Sequence, residues 1–340
     1  MEVQQTEPLL GLAKSSKCSI DIMLWAKSGW GKTTQIFNLA DSLYKEKGLK
    51  TRLISCSGGG WEVGQAWVDA GVVQATHLER RPHTFEALNL LTEGWWPSDH
   101  TDPNSPLAPP PMLASRYPNL SVPPQTQEAW DEVGMVAFDS LSEMCGKMMR
   151  HGCEKGAIGE AIAADTAKSM TKFFDGDQNF GVATRGMYGT IQNYAEQYVA
   201  QTKGLSGKIV IWTALSSMGE EKITRNTIYG PEVVGQARTE AAKAWCSNCL
   251  YGKLHESIDD GRKQISRRLY LKPHFDDLGT LFVAKNSANF MMQETIPEYL
   301  EKENLDSPAK WDDQPRGLVK FLKLLDEANS VASSHIQIGG

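Results

Sequence analysis

The first strong pattern along the chain is Ile20-Asp21-Ile22-Met23-Leu24-Trp25-Ala26, a short apolar run with the length and bulk of a strand buried on both faces. A glycine-containing turn follows it. From Lys32 to about Lys47, Ile36, Leu39, Ala40 and Leu43 recur at three- and four-residue spacing, which predicts an amphipathic helix that Gly48 ends. Thr51 to Cys56 then reads as a second strand, completing a βαβ unit. Further apolar runs predict strands at Val73 to Leu78, Val133 to Phe138 and Lys208 to Ala214, with helices at Thr84 to Glu93 and Met187 to Lys203. This alternation predicts an α/β fold with a mostly parallel sheet flanked by helices on both faces.

After residue 260 the pattern changes. Arg267 to Lys272 and Thr280 to Ala284 flank Pro273 and Gly279 and predict an antiparallel hairpin at the sheet edge. Arg316 to Asn329 places Leu318, Phe321, Leu322 and Leu325 on one helical face, and the tail from Ser330 is expected to be loose. The expected organisation is an N-terminal extension at 1–17, a core at 18–300, and a C-terminal helix and flexible tail at 301–340. An insertion at 97–127 interrupts the core. It holds nine of the sixteen prolines, which remove backbone donors and fix φ, so it is read as a surface excursion or as a docking segment for a protein partner.

Composition narrows the class. Of 340 residues, 41% are hydrophobic and 22% charged, which excludes a disordered or collagenous chain. The net charge of −6 restricts any nucleic-acid surface to a local patch. No apolar run approaches the roughly 20 residues that span a bilayer. The acidic start at Glu2 and Glu7 does not read as a secretory leader, so a cytoplasmic location is expected, in the host if the protein is viral. Six cysteines suit reduced, buried thiols. Cys246-Ser247-Asn248-Cys249 has half the spacing of a zinc site but no second half nearby, and is read as a pair of buried cysteines on a helix after Trp245.

The candidate chemistry lies between the first strand and the first helix. Ala26-Lys27-Ser28-Gly29-Trp30-Gly31-Lys32-Thr33-Thr34 fits the phosphate-binding loop pattern, with alanine at the first glycine position, in the strand-loop-helix context that the pattern requires. Backbone N–H groups from Ser28, Gly29, Trp30 and Gly31 through Lys32 and Thr33 would form an anion site at the helix N-terminus. Lys32 would reach the β- and γ-phosphates of ATP, Thr33 would ligate Mg²⁺, and Thr34 would face the α-phosphate. Val136-Ala137-Phe138-Asp139 supplies an acidic strand end, so Asp139 is the second candidate for Mg²⁺. Hydrolysis also needs a group that orients water. Glu62 and Glu79 are the leading candidates, and Glu143, one turn beyond Asp139, ranks below them.

With these residues in place, the chain resembles RecA-like P-loop ATPases, in particular the compact phage AAA-type ATPases associated with Sak-type single-strand annealing. The likeness runs over about residues 18 to 300 and includes the stretches Tyr229 to Gln236, Ala284 to Ser287, and Ile296-Pro297. It implies an ATPase that forms a homo-oligomeric ring or filament on single-stranded DNA in recombination or replication. The DNA-facing loops would fall at Met144 to Gly186, with Lys147, Arg150, Lys155, Lys168, Lys172 and Arg185, and at Ser216 to Gln236, with Lys222, Arg225 and Tyr229. Lys285, Arg267 or Arg268 would reach across a subunit interface toward the γ-phosphate. One departure stands out. Members usually carry the hydrolytic acid at the end of the second strand, where this chain reads Ser55-Cys56-Ser57-Gly58. That departure motivates an alternative, a nucleotide-gated assembly protein with weak or no hydrolysis and a protein partner.

Overall fold

The structure, a computed structural model, describes residues 19–56, 61–78, 127–153, 185–205, 207–220, 227–233, 242–259, 262–276, 279–288, 293–302 and 317–336. The βαβ unit forms as its periodicity dictates. Strand β1 (Ile20–Ala26) leads through the glycine loop into helix α1 (Lys32–Lys47), and the chain returns as β2 (Lys50–Ser55). Gly48 ends α1 in the left-handed conformation at φ 67°, and its N–H donates to Tyr44 O at 2.8 Å. Helix α2 (Trp61–Asp69) and strand β3 (Val73–His77) follow. The next elements are α3 (Gln127–Asp131), β4 (Val133–Asp139), α4 (Leu141–Cys153) and α5 (Arg185–Thr202).

The strands β5 (Ile209–Glu220), β6 (Thr227–Pro231), β7 (Asn248–Asp259) and β8 (Arg262–Tyr270) lead into the two-residue β9 (His274–Phe275) and β10 (Leu281–Phe282). β11 (Tyr299–Lys302) and α6 (Gly317–Ile336) close the described chain. The main sheet runs β11-β8-β7-β1-β5-β4-β2-β3. Every pair from β7 to β3 is parallel, and β7-β8 and β8-β11 are antiparallel. This is the expected architecture of a mostly parallel sheet with an antiparallel edge. One strand, β5, stands between the strand of the phosphate loop and the strand of Asp139.

Alternation along β1 divides the core. Ile22 and Leu24 face α1 and α6, packed with Phe37, Leu39, Leu43, Phe321 and Leu325, while Met23 and Trp25 face α4 and α5 with Phe138, Trp212, Met148 and Val199. Phe138 and Trp212 stack at 3.9 Å, locking β4 to β5 beneath Asp139. The C-terminal helix is tied directly to the loop's helix, because Gln35 Oε1 accepts the Leu318 N–H at 3.1 Å.

Several expectations need correction. Arg267 to Lys272 does not pair with Thr280 to Ala284. Arg267–Tyr270 instead lies between β7 and β11, and Leu281–Phe282 pairs antiparallel with His274–Phe275. Pro273 and the turn at Gly279 leave room for only two residues per strand there, while the long β7 offers a full-length partner to β8. Cys246 and Cys249 are buried, but Cys246 lies in the turn before β7 and Cys249 within it, not on a helix. The last helix continues past Ser330 to Ile336. The second expected loop, Ser216 to Gln236, is in part a hairpin, since Ser216–Glu220 pairs antiparallel with Thr227–Pro231. The expected helix at 84–93, the proline-rich stretch up to residue 126 and the extension at 1–17 lie outside the described residues.

Among the described residues, no helix is long and apolar enough to cross a membrane.

Candidate functional site

The parallel strands end on one side of the sheet, and the loop from Lys27 to Gly31 covers the end of β1 there. Gly29 and Gly31 adopt φ of 76° and 98°, a left-handed conformation that side chains resist and that lets the backbone curl around a ligand. The first turn of α1 carries no acidic residue, so its free N–H groups and positive dipole end have no internal counter-charge.

Lys32 is buried, and its Nζ donates to Ala26 O at 3.1 Å and Lys27 O at 3.3 Å, folding the ammonium over the loop. Burial pulls its pKa down, and the negative charges of Asp139 and Glu143 oppose that. Thr33 Oγ1 donates to Asp139 Oδ2 at 2.6 Å, and Thr213 Oγ1 on β5 donates to Asp139 Oδ1 at 2.5 Å. The strand order thus brings two distant segments to one carboxylate. Its two partners are hydroxyl oxygens, and an all-oxygen set suits Mg²⁺. Thr33 and Asp139 would hold the ion, which would supply charge neutralisation for phosphate.

Glu143 lies on the first turn of α4, where its N–H donates to Ser140 Oγ at 3.3 Å. Burial and the Asp139 charge raise its pKa, against Lys147, Arg150 and Lys32. Its charge interacts with those of both Lys32 and Asp139. Cys56 directly follows β2, and its N–H donates to Asp139 O at 2.6 Å. Burial pushes its thiol up to about 12, so this position carries a neutral group where a carboxylate was sought. Ser142 ties the start of α4 to the β5–β6 extension: its Oγ accepts the Leu215 N–H and donates to Glu232 O, both at 2.8 Å.

Other candidates sit elsewhere. The Trp30 side chain is buried away from the loop's inner face. Its ring lies against Gly252 of β7, Nε1 donates to Lys253 O at 3.3 Å and its backbone N–H donates to Lys27 O at 3.4 Å. Glu62 lies in the first turn of α2, and its side chain, like the whole of Glu79, falls outside the described residues. Lys285 pairs its backbone with Cys249, the second residue of β7, and Arg268 lies over the Tyr299 ring at 4.4 Å. Arg267 and Arg268 pair with Leu254 and Lys253 on β7. The bond of Thr213 to Asp139 comes from β5 lying next to β4.

A Cβ at residue 252 would stand 2.5 Å from the Trp30 ring. Gly252→Val is therefore expected to push Trp30 out from beneath the loop and to destabilise the fold by about 1–3 kcal/mol, the usual cost of overpacking. Urea unfolding checks this: a lowered midpoint at unchanged slope is expected, and an unchanged midpoint would show that the contact does not constrain the loop.

Fold and site together define a mostly parallel α/β sheet with a glycine loop of phosphate-loop pattern after β1 and, two strands away on β4, the carboxylate that Thr33 reaches. No family model matches the chain, and no curated protein matches it. Among solved structures, the flagellar accessory protein FlaH from Methanocaldococcus jannaschii is similar over 83% of each chain, at 9% identity and a TM-score of 0.36. At that distance the likeness has no functional weight.

Proposed function

We propose that the protein binds Mg-ATP at the loop of residues 28–34 and hydrolyses it. The observation that supports this most directly is the convergence of Thr33 and Thr213 on Asp139 beside the buried Lys32. That arrangement offers a cation for the terminal phosphates, oxygen ligands for Mg²⁺ and a backbone anion site within one turn of helix. In this reading Glu143, whose charge interacts with Lys32 and Asp139, orients the attacking water.

Glu143→Gln keeps the side-chain shape and removes the base. Turnover is expected to fall on the order of 10²-fold, with nucleotide affinity nearly unchanged. In the parent protein, activity should decline as pH falls through the raised pKa of Glu143, above the ordinary carboxylate range, and the variant should lack that acidic limb. Stability moves the opposite way. A carboxyl whose folded pKa is raised contributes its full stability below its unfolded pKa, and loses it as pH rises through the folded value. At neutral pH the variant should therefore melt at or slightly above the parent, by well under 1 kcal/mol after solvent screening. Turnover of the parent kept by the variant would return the role to Glu62 or Glu79.

The finer reading is that ATP binding drives assembly into a homo-oligomer on single-stranded DNA in phage-type recombination or replication. What supports it is the family resemblance, together with the link from Asp139 through Thr213 and Ser142 to the β5–β6 extension that carries Tyr229. Oligonucleotide binding that strengthens with ATP and weakens steeply with salt is the expected result. The neutral Cys56 thiol at the end of β2 favours a second reading, a nucleotide-gated assembly protein with slow hydrolysis and a protein partner. ATP-dependent oligomer formation with no DNA response would support that one.

A further inference from the structure

The β4–β5 ladder closes with Phe138 opposite Trp212, whose rings stack at 3.9 Å with an angle of 5° between their planes. Asp139 and Thr213 are the next residues on the two strands. Alternation sends their side chains to the other face of the sheet, the one that carries α1. On its far side Thr213 has Leu24 of β1 for a neighbour. Ile209, Val210, Ile211, Trp212 and Ala214 are all fully buried, and Thr213, equally buried, is the one polar side chain in that run. Valine would fill the same space, so packing does not account for the hydroxyl.

Among the described residues, the Asp139 carboxylate accepts two hydrogen bonds, Thr33 Oγ1 to Oδ2 at 2.6 Å and Thr213 Oγ1 to Oδ1 at 2.5 Å. The two hydroxyls are not equivalent. Thr33 stands in the first turn of α1 beside the glycine loop, where its oxygen keeps lone pairs for an ion. Thr213 is enclosed between β1 and β4, and branching at its Cβ restricts the side chain to few rotamers, so the strand itself aims the hydroxyl. Its bond commits Oδ1 to the sheet and leaves Oδ2 on the side of the loop.

We propose that Thr213 is a positioning residue that sets the metal preference of the site: by holding Oδ1 it leaves Asp139 a single oxygen for the cation, which favours Mg²⁺ over Ca²⁺. Mg²⁺ demands near-ideal octahedral geometry and retains several waters, whereas Ca²⁺ takes about six to eight oxygens and accommodates a carboxylate through both of its own. A carboxylate with one oxygen tied back fits the first ion and withholds a ligand from the second. The inference rests on the Mg-ATP reading of the site and adds to it the residue that discriminates between cations.

Calorimetric titration of ATP into the full chain, with Mg²⁺, with Ca²⁺ and with both chelated, reads the preference without requiring turnover. It is applied to the parent, to Thr213→Val, which keeps the shape and loses the donor, and to Thr213→Ser, which keeps the donor, with thermal melts confirming folding. In the valine variant the gain in ATP affinity from Mg²⁺ should fall about tenfold, the scale expected when a partner behind a metal ligand is removed. The gain from Ca²⁺ should be kept or rise, and serine should restore the parent's preference. Equal losses with the two metals, as a merely structural threonine would give, would overturn the proposal. So would parent-like curves in a folded valine variant, or a serine variant that behaves like valine. Should the valine protein not fold, Thr213→Cys, whose thiol is a weak donor, is read against the same outcomes. A parent that shows no metal-dependent ATP binding would instead contradict the Mg-ATP reading, and the preference assigned to Thr213 would fall with it.

Discussion

Lys32→Ala is expected to lower nucleotide turnover on the order of 10²-fold or more, the loss typical when a positioned cation or donor is removed from developing charge. The lysine is buried and its ammonium bonds only to the carbonyls of Ala26 and Lys27 among described partners, so no ion pair of the fold depends on it. Burial already costs the charged form, and Asp139 and Glu143 sustain it from one side. A phosphate arriving from the loop side would complete its environment. The alanine variant should therefore keep the parent's melting temperature or exceed it slightly, while losing nucleotide affinity. A steady-state phosphate-release assay with a parallel melt checks both halves. Parent-level turnover in a folded variant would remove the loop from the chemistry.

Asp139→Asn carries the second large effect. The carboxylate accepts Thr33 Oγ1 and Thr213 Oγ1 on its two oxygens. An amide offers one oxygen and one NH₂ in nearly the same shape, and a hydroxyl that meets the NH₂ can turn to accept, so the polar network survives the change. The negative charge that Mg²⁺ requires does not survive. Turnover should drop on the order of 10²-fold and the midpoint of its Mg²⁺ dependence should move to much higher concentration. A Mg²⁺ titration of both proteins reads this directly, and overlapping curves would place the ion elsewhere.

The parts of the site that were legible in the sequence are those written locally. The phosphate loop is contiguous, its flanking strand and helix have clean periodicity, and Asp139 ends an apolar run that has no other polar member. The rest depends on which strands become neighbours. Thr213 carries no local signal, and it matters because β5 lies beside β4. Glu143 carries no local signal either, because its electrostatic interaction with Lys32 and Asp139 depends on where α4 packs.

Strand β7 carries no clear sequence pattern for a related reason. Gly252, Lys253 and Glu256 break the apolar alternation, and the first of these is explained only by Trp30, 222 positions earlier, lying against it. Arg52 shows the same limit inside a strand that was read correctly. It is fully buried in β2, with its guanidinium 4.1 Å from the centre of the Trp130 ring and Nε donating to Gln74 at 3.2 Å. No periodicity assigns an arginine to the core, because the partners that make it tolerable come from β3 and from the helix before β4.

The central claim is that residues 28–34, with Thr33 and Asp139, hold a magnesium–nucleoside triphosphate. Calorimetric titration of the full chain with ATP, in excess Mg²⁺ and again with the metal chelated, tests it most directly. The account predicts saturable binding of one nucleotide per chain that weakens about tenfold or more without Mg²⁺, since the ion links the phosphates to Thr33 and Asp139. Absence of saturable binding, or equal affinity with and without the metal, would contradict it.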